Sequence, residues 1–219
     1  VKRLLGALPG EGSEKGELTD KVYDNPYSLI LLDEFEKAHP RIHDLFLQVL
    51  DDGRLTDNKG KTVSFANTII IATSNAASEF IREEVKKSTA IDKAFKEKLF
   101  EFLQTNAIFK PELINRFDDT IVFKPLDSEQ VNLISNMLLN DLVKRIVEKD
   151  IAVTFDENIV KKISEEGFDE QFGARPLKRF IQDNIEDMIA KKILTSELNR
   201  GDKVFLSVGL EGELIVKVN

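Results

Sequence analysis

The chain has 219 residues, 42% of them hydrophobic, which suffices for one large domain or two small domains with packed cores. A formal net charge of −8 disfavours a general nucleic-acid binder, and the absence of cysteine excludes disulfides and thiolate metal sites. No apolar run approaches the roughly 20 residues that span a bilayer. We therefore expect a cytoplasmic protein that binds neither nucleic acid nor membrane.

The N-terminal residues, 1–19, are rich in Gly and contain Pro9, which predicts a loop. The same composition suits a linker or a chain terminus equally well. A short helix is predicted at 18–25, where Pro26 ends it.

The segment 28–34 contains an unbroken apolar run, 29–32, that ends in two acids, Asp33 and Glu34. A short run of this kind between turn signals predicts a strand buried on both faces of a parallel sheet. In open sheets the chemistry gathers outside the carboxyl ends of the strands. An acid pair at that position suits a hydrated Mg²⁺ and an oriented water, although many strands end in Asp.

The next segments predict the rest of an α/β sheet. Apolar residues at helical spacing after Pro40 predict an amphipathic helix, and 57–61 is a polar turn that suits a hairpin tip. Residues 68–73 form a second unbroken strand that ends in Ser74 and Asn75. Two such strands joined by a helix favour a parallel sheet.

Three further elements are predicted before the domain boundary. Residues 76–106 are highly charged with one apolar side, which predicts a helix, and 111–117 predicts a shorter one. The β-branched segment 120–123 predicts a third strand. Pro125 then marks the boundary between predicted domains 1–124 and 125–219.

The second domain has a different pattern. Asp127 and Gln130 resemble a capping box before a helix with one apolar stripe, and a short strand follows at 151–155. Asp156 caps a helix that Gly167 ends, and a long helix is predicted from 173 to 198. Alternation at 203–208 and 213–218 predicts a hairpin, so we expect a small α+β domain.

Five motifs occur in order: LDEFEKAHP at 32–40, DDGRLTD at 51–57, TSN at 73–75, NRFD at 115–118 and GARPL at 173–177. Together they resemble the AAA+ ATPase module of Clp-type protein unfoldases, in particular the second ATPase ring of the two-ring members. The resemblance covers nearly the whole chain. It implies an α/β fold, in which a partial AAA+ parallel sheet with covering helices precedes a small α+β domain.

The resemblance implies roles for three residues at the strand ends. Asp33 matches the Walker B aspartate, which holds Mg²⁺ through its water shell. Glu34 matches the glutamate that polarises the attacking water, and Asn75 matches the first sensor residue, which contacts the γ-phosphate. Taken singly, Glu34 also suits a solvated strand end, and Asn75 a turn.

The resemblance also implies roles for two arginines. Arg116 matches the arginine finger that reaches a neighbouring subunit's site, the alternative being a surface salt bridge with Asp118 or Asp119. Arg175 matches the second sensor. A cation in the first turn of a helix opposes the helix dipole, so Arg175 suits a helix start that faces phosphate, and a capping accident is the alternative.

The sequence departs from the family in three places. It contains no Gly-x-x-x-x-Gly-Lys-Thr, the phosphate loop that the family carries upstream of the part matched here, so we expect the chain alone to be inactive. The segment 11–17 lacks the aromatic residue of the family's pore loop. Either the loop is degenerate, or some of its residues are absent from this sequence. No Gly occurs in 77–118, so docking to a barrel-shaped protease is not supported.

The function implied by the resemblance is ATP-driven unfolding or disaggregation, with ATP and Mg²⁺ as cofactors. The partners would be unfolded or aggregated proteins and further copies in a ring, expected to be a hexamer. A non-catalytic assembly or adaptor module of the same fold is the alternative, which the missing phosphate loop favours. A DNA-remodelling AAA+ protein is disfavoured by the acidic charge and by the GARPL motif.

Overall fold

The structure is a computed structural model that describes residues 1–6, 15–87, 90–170 and 172–218. It divides into two compact units, 1–124 and 125–219. Within the described residues, no helix combines the length and the apolar character needed to cross a membrane.

The first unit contains seven helices, one of them a 3₁₀ turn, and four strands among its described residues. In chain order they are α1 Lys2–Leu5, α2 Thr19–Asp24, β1 Leu29–Leu32, the 3₁₀ turn Phe35–Lys37, α3 Pro40–Asp52, β2 Arg54–Thr56, β3 Thr62–Ser64, β4 Ile69–Ala72, α4 Ser78–Lys87, α5 Lys93–Thr105 and α6 Pro111–Ile114. Strands β1 and β4 pair in parallel, with Leu29 opposite Ile69, whereas β2 and β3 form an antiparallel hairpin around 57–61. The predicted parallel α/β sheet and the hairpin are confirmed.

Helix α3 covers one face of the parallel sheet. Pro40 occupies its first turn, where a missing N–H costs nothing, and the His39 side chain accepts a hydrogen bond from Arg41 N at 3.1 Å. Gly53 ends it in the left-handed conformation, at a φ of 62°. The buried side of α3 joins a core with residues of both strands: Leu45, Phe46, Val49, Ile30, Leu32 and Ile70.

The opposite face of the sheet is exposed, so the expectation of a strand buried on both faces was wrong. Leu29 and Leu31 on β1 are 60% and 57% exposed, and Ile69 and Ile71 on β4 are 64% and 44% exposed. Alternate side chains of a strand point to opposite faces. The described residues provide a covering helix for only one of them.

Three other predictions in the first unit need correction. The strand expected at 120–123 is unpaired, with Ile121 and Phe123 76% and 84% exposed, because the described residues supply no strand beside it. The helix expected over 76–106 is divided into α4 and α5, and Asp92 caps the second by accepting from Phe95 N at 2.9 Å. The N-terminal loop includes the short helix α1. Of the segment 11–17 expected at the pore loop, 11–14 lie outside the described residues.

The second unit is α+β, as predicted. Its elements are α7 Ser128–Val147, β5 Ala152–Phe155, α8 Glu157–Gly167, α9 Arg175–Ile181, a π-helical turn Gln182–Glu186, α10 Asp187–Leu194, β6 Lys203–Val208 and β7 Leu214–Val218. The sheet has the order β5-β6-β7, parallel between β5 and β6 and antiparallel between β6 and β7. The capping box of Asp127 with Gln130 and the Asp156 cap are both present. The predicted long helix ends at Leu194 rather than at Leu198.

The second unit has a hydrophobic core of its own. Its buried cluster draws on residues of every helix and strand of this unit. Leu139, Ile163 and Leu206 are fully buried. A buried hydrogen bond of 2.9 Å from Ser164 Oγ to Ser135 Oγ also joins α8 to α7.

Candidate active site

The carboxyl ends of the two parallel strands bring the predicted acids and the TSN motif to one edge of the sheet. The ladder continues beyond the strands, since Thr73 N donates to Leu32 O at 2.9 Å and Phe35 N donates to Thr73 O at 2.9 Å. Asp33 and Glu34 therefore lie directly beside Thr73.

The hydroxyl of Thr73 joins the two acidic residues. It donates to Asp33 Oδ1 at 2.6 Å and accepts from the Glu34 backbone N–H at 3.1 Å. Sequence reasoning missed this residue. The sequence has no local signal for this contact, because only the pairing of Leu32 with Ala72 in the structure sets Thr73 opposite Asp33.

Glu34 has a left-handed backbone, with φ 51° and ψ 48°, and the 3₁₀ turn Phe35–Lys37 begins immediately after it. This conformation is uncommon for a residue with a Cβ and often marks a functional position. It turns the chain sharply at the end of β1. The Glu34 side chain is 40% exposed and forms an ion pair of 2.9 Å with Lys37.

Asn75 lies on the same edge and is exposed. Its backbone N–H donates to Glu36 Oε1 at 3.2 Å, and its carbonyl accepts from Ser78 Oγ at 2.7 Å. The Glu36 carboxylate thus holds the TSN segment at the backbone of Asn75. Sequence reasoning also missed this residue. Its Oε2 is buried and has no hydrogen-bond partner among the described residues.

Arg116 lies after α6 and forms an ion pair with Asp51, at the end of α3. The salt bridge considered with Asp118 or Asp119 is not what the structure shows. Asp119 instead accepts from Lys96 Nζ at 2.9 Å, and this hydrogen bond lowers the pKa of the Asp119 carboxyl. The Arg116 side chain is 52% exposed and borders a cavity of about 300 Å³.

Arg175 belongs to the second unit, where it is the first residue of α9 and is exposed. Leu177, which is fully buried, anchors this helix in the core. Gly173, at a φ of 66°, makes the turn before the helix, and its N–H donates to Asp169 O at 2.7 Å. A left-handed turn of this kind favours glycine.

The five predicted residues thus fall into three places. Asp33, Glu34 and Asn75 share one edge of the sheet, connected through Thr73 and Glu36. Within the described part of the first unit, no hydrogen bond or ion pair joins Arg116 to that edge. Arg175 lies in the other unit.

The donors at the sheet edge suit a magnesium ion that is bound together with a nucleotide. In the described ranges, no group of three or more His, Cys, Asp or Glu side chains forms a metal site by itself. Mg²⁺ usually keeps several waters and binds one or two carboxylates together with substrate phosphates. The exposed Asp33 carboxylate has the chemistry for that arrangement.

Comparison with known protein families identifies the class. Residues 1–120 match the family model described as AAA domain (Cdc48 subfamily), and residues 126–206 match the C-terminal, D2-small domain, of ClpB protein. The chain belongs to the AAA family. The two matches, in this order, confirm the predicted C-terminal ATPase module of Clp type.

Individual relatives give the same result. The chain is 45% identical to the chaperone protein ClpB of Clostridium tetani over 218 residues, which is 99% of this chain and 25% of that protein. It is 45% identical to the ClpB of Aquifex aeolicus over 98% of this chain and 22% of that protein. It is also 43% identical to the negative regulator of genetic competence ClpC/MecB of Bacillus subtilis, over 99% of this chain and 27% of that protein. The chain therefore spans about a quarter of the length of these relatives.

Proposed function

We propose that the chain is the catalytic-edge and lid portion of an ATP-driven disaggregase chaperone. The observation that carries the proposal is the edge where Thr73 ties Asp33 to Glu34 and where Asn75 follows. The names of the relatives support the chaperone assignment. In this proposal, unit 1–124 belongs to the large ATPase subdomain, without its phosphate loop, and unit 125–219 is the small lid.

Three side chains at this edge would carry out hydrolysis. Asp33 would hold Mg²⁺ through water, and the ion supplies charge neutralisation on the phosphates. The Glu34 carboxylate, turned out of the strand by its left-handed backbone, accepts a hydrogen bond from the attacking water and polarises it. The Asn75 amide is neutral, so it can orient the γ-phosphate and the water without adding charge.

The two arginines would act from outside this edge. Arg116 is half exposed on the surface, which suits a finger that reaches the nucleotide of a neighbouring subunit. Its ion pair with Asp51 would then have to open during assembly. Arg175 would act as the second sensor, since it stands exposed at the start of α9.

The whole protein would assemble into a ring, which we propose to be a hexamer in the cytoplasm. Its substrates would be unfolded or aggregated polypeptides, threaded through the pore. Nucleic acid, membranes and a docked protease are not among the proposed partners. A non-catalytic assembly module is the competing function, because the phosphate-binding sequence is missing from these 219 residues.

Glu34→Gln in the full-length parent tests the proposal and separates it from the competing function. We expect turnover to fall on the order of 10²-fold or more, with nucleotide affinity unchanged, because the amide cannot polarise the water equally well. Glu97→Gln, the same change on the exposed surface of α5, is the matched control. Near-normal turnover of Glu34→Gln would remove Glu34 from the mechanism.

A further inference from the structure

We propose that Thr73 is a positioning residue for ATP hydrolysis, whose single hydroxyl orients the Asp33 carboxylate and fixes the turn that presents Glu34. The inference rests on the function proposed above. It adds a residue that touches neither the nucleotide nor the attacking water and acts through the two acids.

The hydrogen-bonding capacity of the hydroxyl fixes its direction. An ionised carboxylate only accepts, and a backbone N–H only donates. The one proton of Thr73 Oγ1 therefore goes to Asp33 Oδ1, at 2.6 Å, and its oxygen accepts from Glu34 N, at 3.1 Å. This arrangement engages one Asp33 oxygen and leaves the other for the water shell of a metal ion.

The backbone of Thr73 completes the attachment. Its N–H donates to Leu32 O and its carbonyl accepts from Phe35 N, both at 2.9 Å. Thr73, the residue directly after β4, thus contacts four consecutive residues, from Leu32 to Phe35. The left-handed backbone of Glu34 lies in the middle of this segment, so the bond to Glu34 N stabilises an otherwise disfavoured turn.

The position of Thr73 makes a catalytic role separable from a stabilising one. Thr73 is exposed, so its side chain contributes little to the core. Threonine is also stiff at χ1, which holds the hydroxyl in one direction. Loss of the hydroxyl should therefore alter the geometry of the acids while leaving folding nearly unchanged.

The test compares Thr73→Val with Thr73→Ser in the full-length parent. Valine keeps the β-branched shape without the hydroxyl, whereas serine keeps the hydroxyl. For Thr73→Val we expect kcat to fall about tenfold and the Mg²⁺ concentration for half-maximal hydrolysis to rise severalfold, since a hydrogen bond to a charged group is lost. The nucleotide affinity of Thr73→Val, measured without Mg²⁺, should stay within about twofold of the wild-type affinity. The kcat of Thr73→Ser should stay within about threefold of the wild-type kcat.

Thr62→Val is the matched control, because Thr62, in β3, is likewise an exposed threonine whose hydroxyl is hydrogen-bonded, at 3.0 Å to Thr56. Thermal unfolding of each variant verifies that the fold is retained. A wild-type kcat and Mg²⁺ dependence for Thr73→Val would overturn the inference, and so would equal losses of kcat in Thr73→Val and Thr73→Ser.

The failure of the inference can be distinguished from the failure of the proposed function. If Glu34→Gln is inactive while Thr73→Val is normal, the proposed function stands and only the inference fails. If Glu34→Gln is active, the proposed function itself fails.

Discussion

The second unit should fold by itself, and two leucines of one helix provide the measurement. Leu139 and Leu133 both lie inside α7, but Leu139 is fully buried whereas Leu133 is 63% exposed. Replacing either with alanine changes the helix propensity by the same amount. Any difference between the two variants therefore reports burial against the core of this unit.

The expected magnitude follows from the exposure. Leu→Ala removes three carbon atoms, worth about 0.8 kcal/mol each when fully buried, so Leu139→Ala loses about 2.4 kcal/mol. The residual cavity raises this cost within the range of about 2–5 kcal/mol found for such changes. Because Leu133 is 63% exposed, Leu133→Ala should lose only roughly a third of this transfer free energy, or about 0.9 kcal/mol. It also leaves no enclosed cavity. We expect a difference of about 2–3 kcal/mol.

The assay is urea denaturation of a protein containing residues 125–219, followed by circular dichroism at 25 °C. With a slope of about 1–1.5 kcal/mol per molar urea, the midpoint should fall by roughly 2 M more for Leu139→Ala than for Leu133→Ala. Equal costs within about 0.5 kcal/mol would refute the reasoning. The absence of a cooperative transition in the wild-type unit would do the same.

Two further predictions concern the first unit. In mixed rings, Arg116→Ala subunits should hydrolyse ATP at their own site beside a wild-type neighbour but fail to support that neighbour's site; a loss that follows the mutated subunit's own site contradicts a finger acting in trans. The 219-residue chain alone should not bind ATP with micromolar affinity and should self-associate through the exposed sheet face, because phosphate-loop contacts are missing and apolar residues are uncovered. Calorimetric titration with ATP and Mg²⁺ and the mass from light scattering check this, and tight binding by a monomer would contradict it.

The elements with local signals could be predicted from the sequence. Helix α3 has its Pro40 start, its apolar spacing and Gly53 as its end. Helix α7 has the capping box of Asp127 and Gln130, and the hairpin of β2 and β3 surrounds a polar turn. Each of these depends on a few neighbouring residues, so the interpretation did not require the rest of the fold.

The missed site residues depended on strand register. Nothing in the sequence alone sets Thr73 opposite Asp33, or brings Glu36 to the backbone of Asn75, until β1 and β4 are paired. The division between α4 and α5 was different, because Asp92 is a good N-cap and its signal was present in the sequence. The acids proposed for catalysis, Asp33 and Glu34, could be predicted from motif order, whereas the residues that hold them in place could not.

The two wrong predictions about the sheet share one physical cause. Whether a strand is buried or paired depends on the elements that pack beside it. The sequence of the strand indicates only the environment that its side chains favour. The unbroken apolar runs of β1 and β4 suit cover on both faces, and 120–123 suits a paired strand. The described residues provide one cover and no partner strand, so Leu31, Ile71 and Phe123 stay exposed.

The two units differ for the same reason. In the second unit, α7, α8 and the three-stranded sheet enclose a common core, although single apolar side chains such as Leu133 stay exposed. Its helices and strands agreed closely with the local patterns. In the first unit the same kind of pattern left apolar side chains uncovered. Exposed apolar patches and unpaired strands favour association with other protein surfaces. The mismatch between pattern and burial identifies the exposed face of β1 and β4 as the part of the first unit where such association is most favourable.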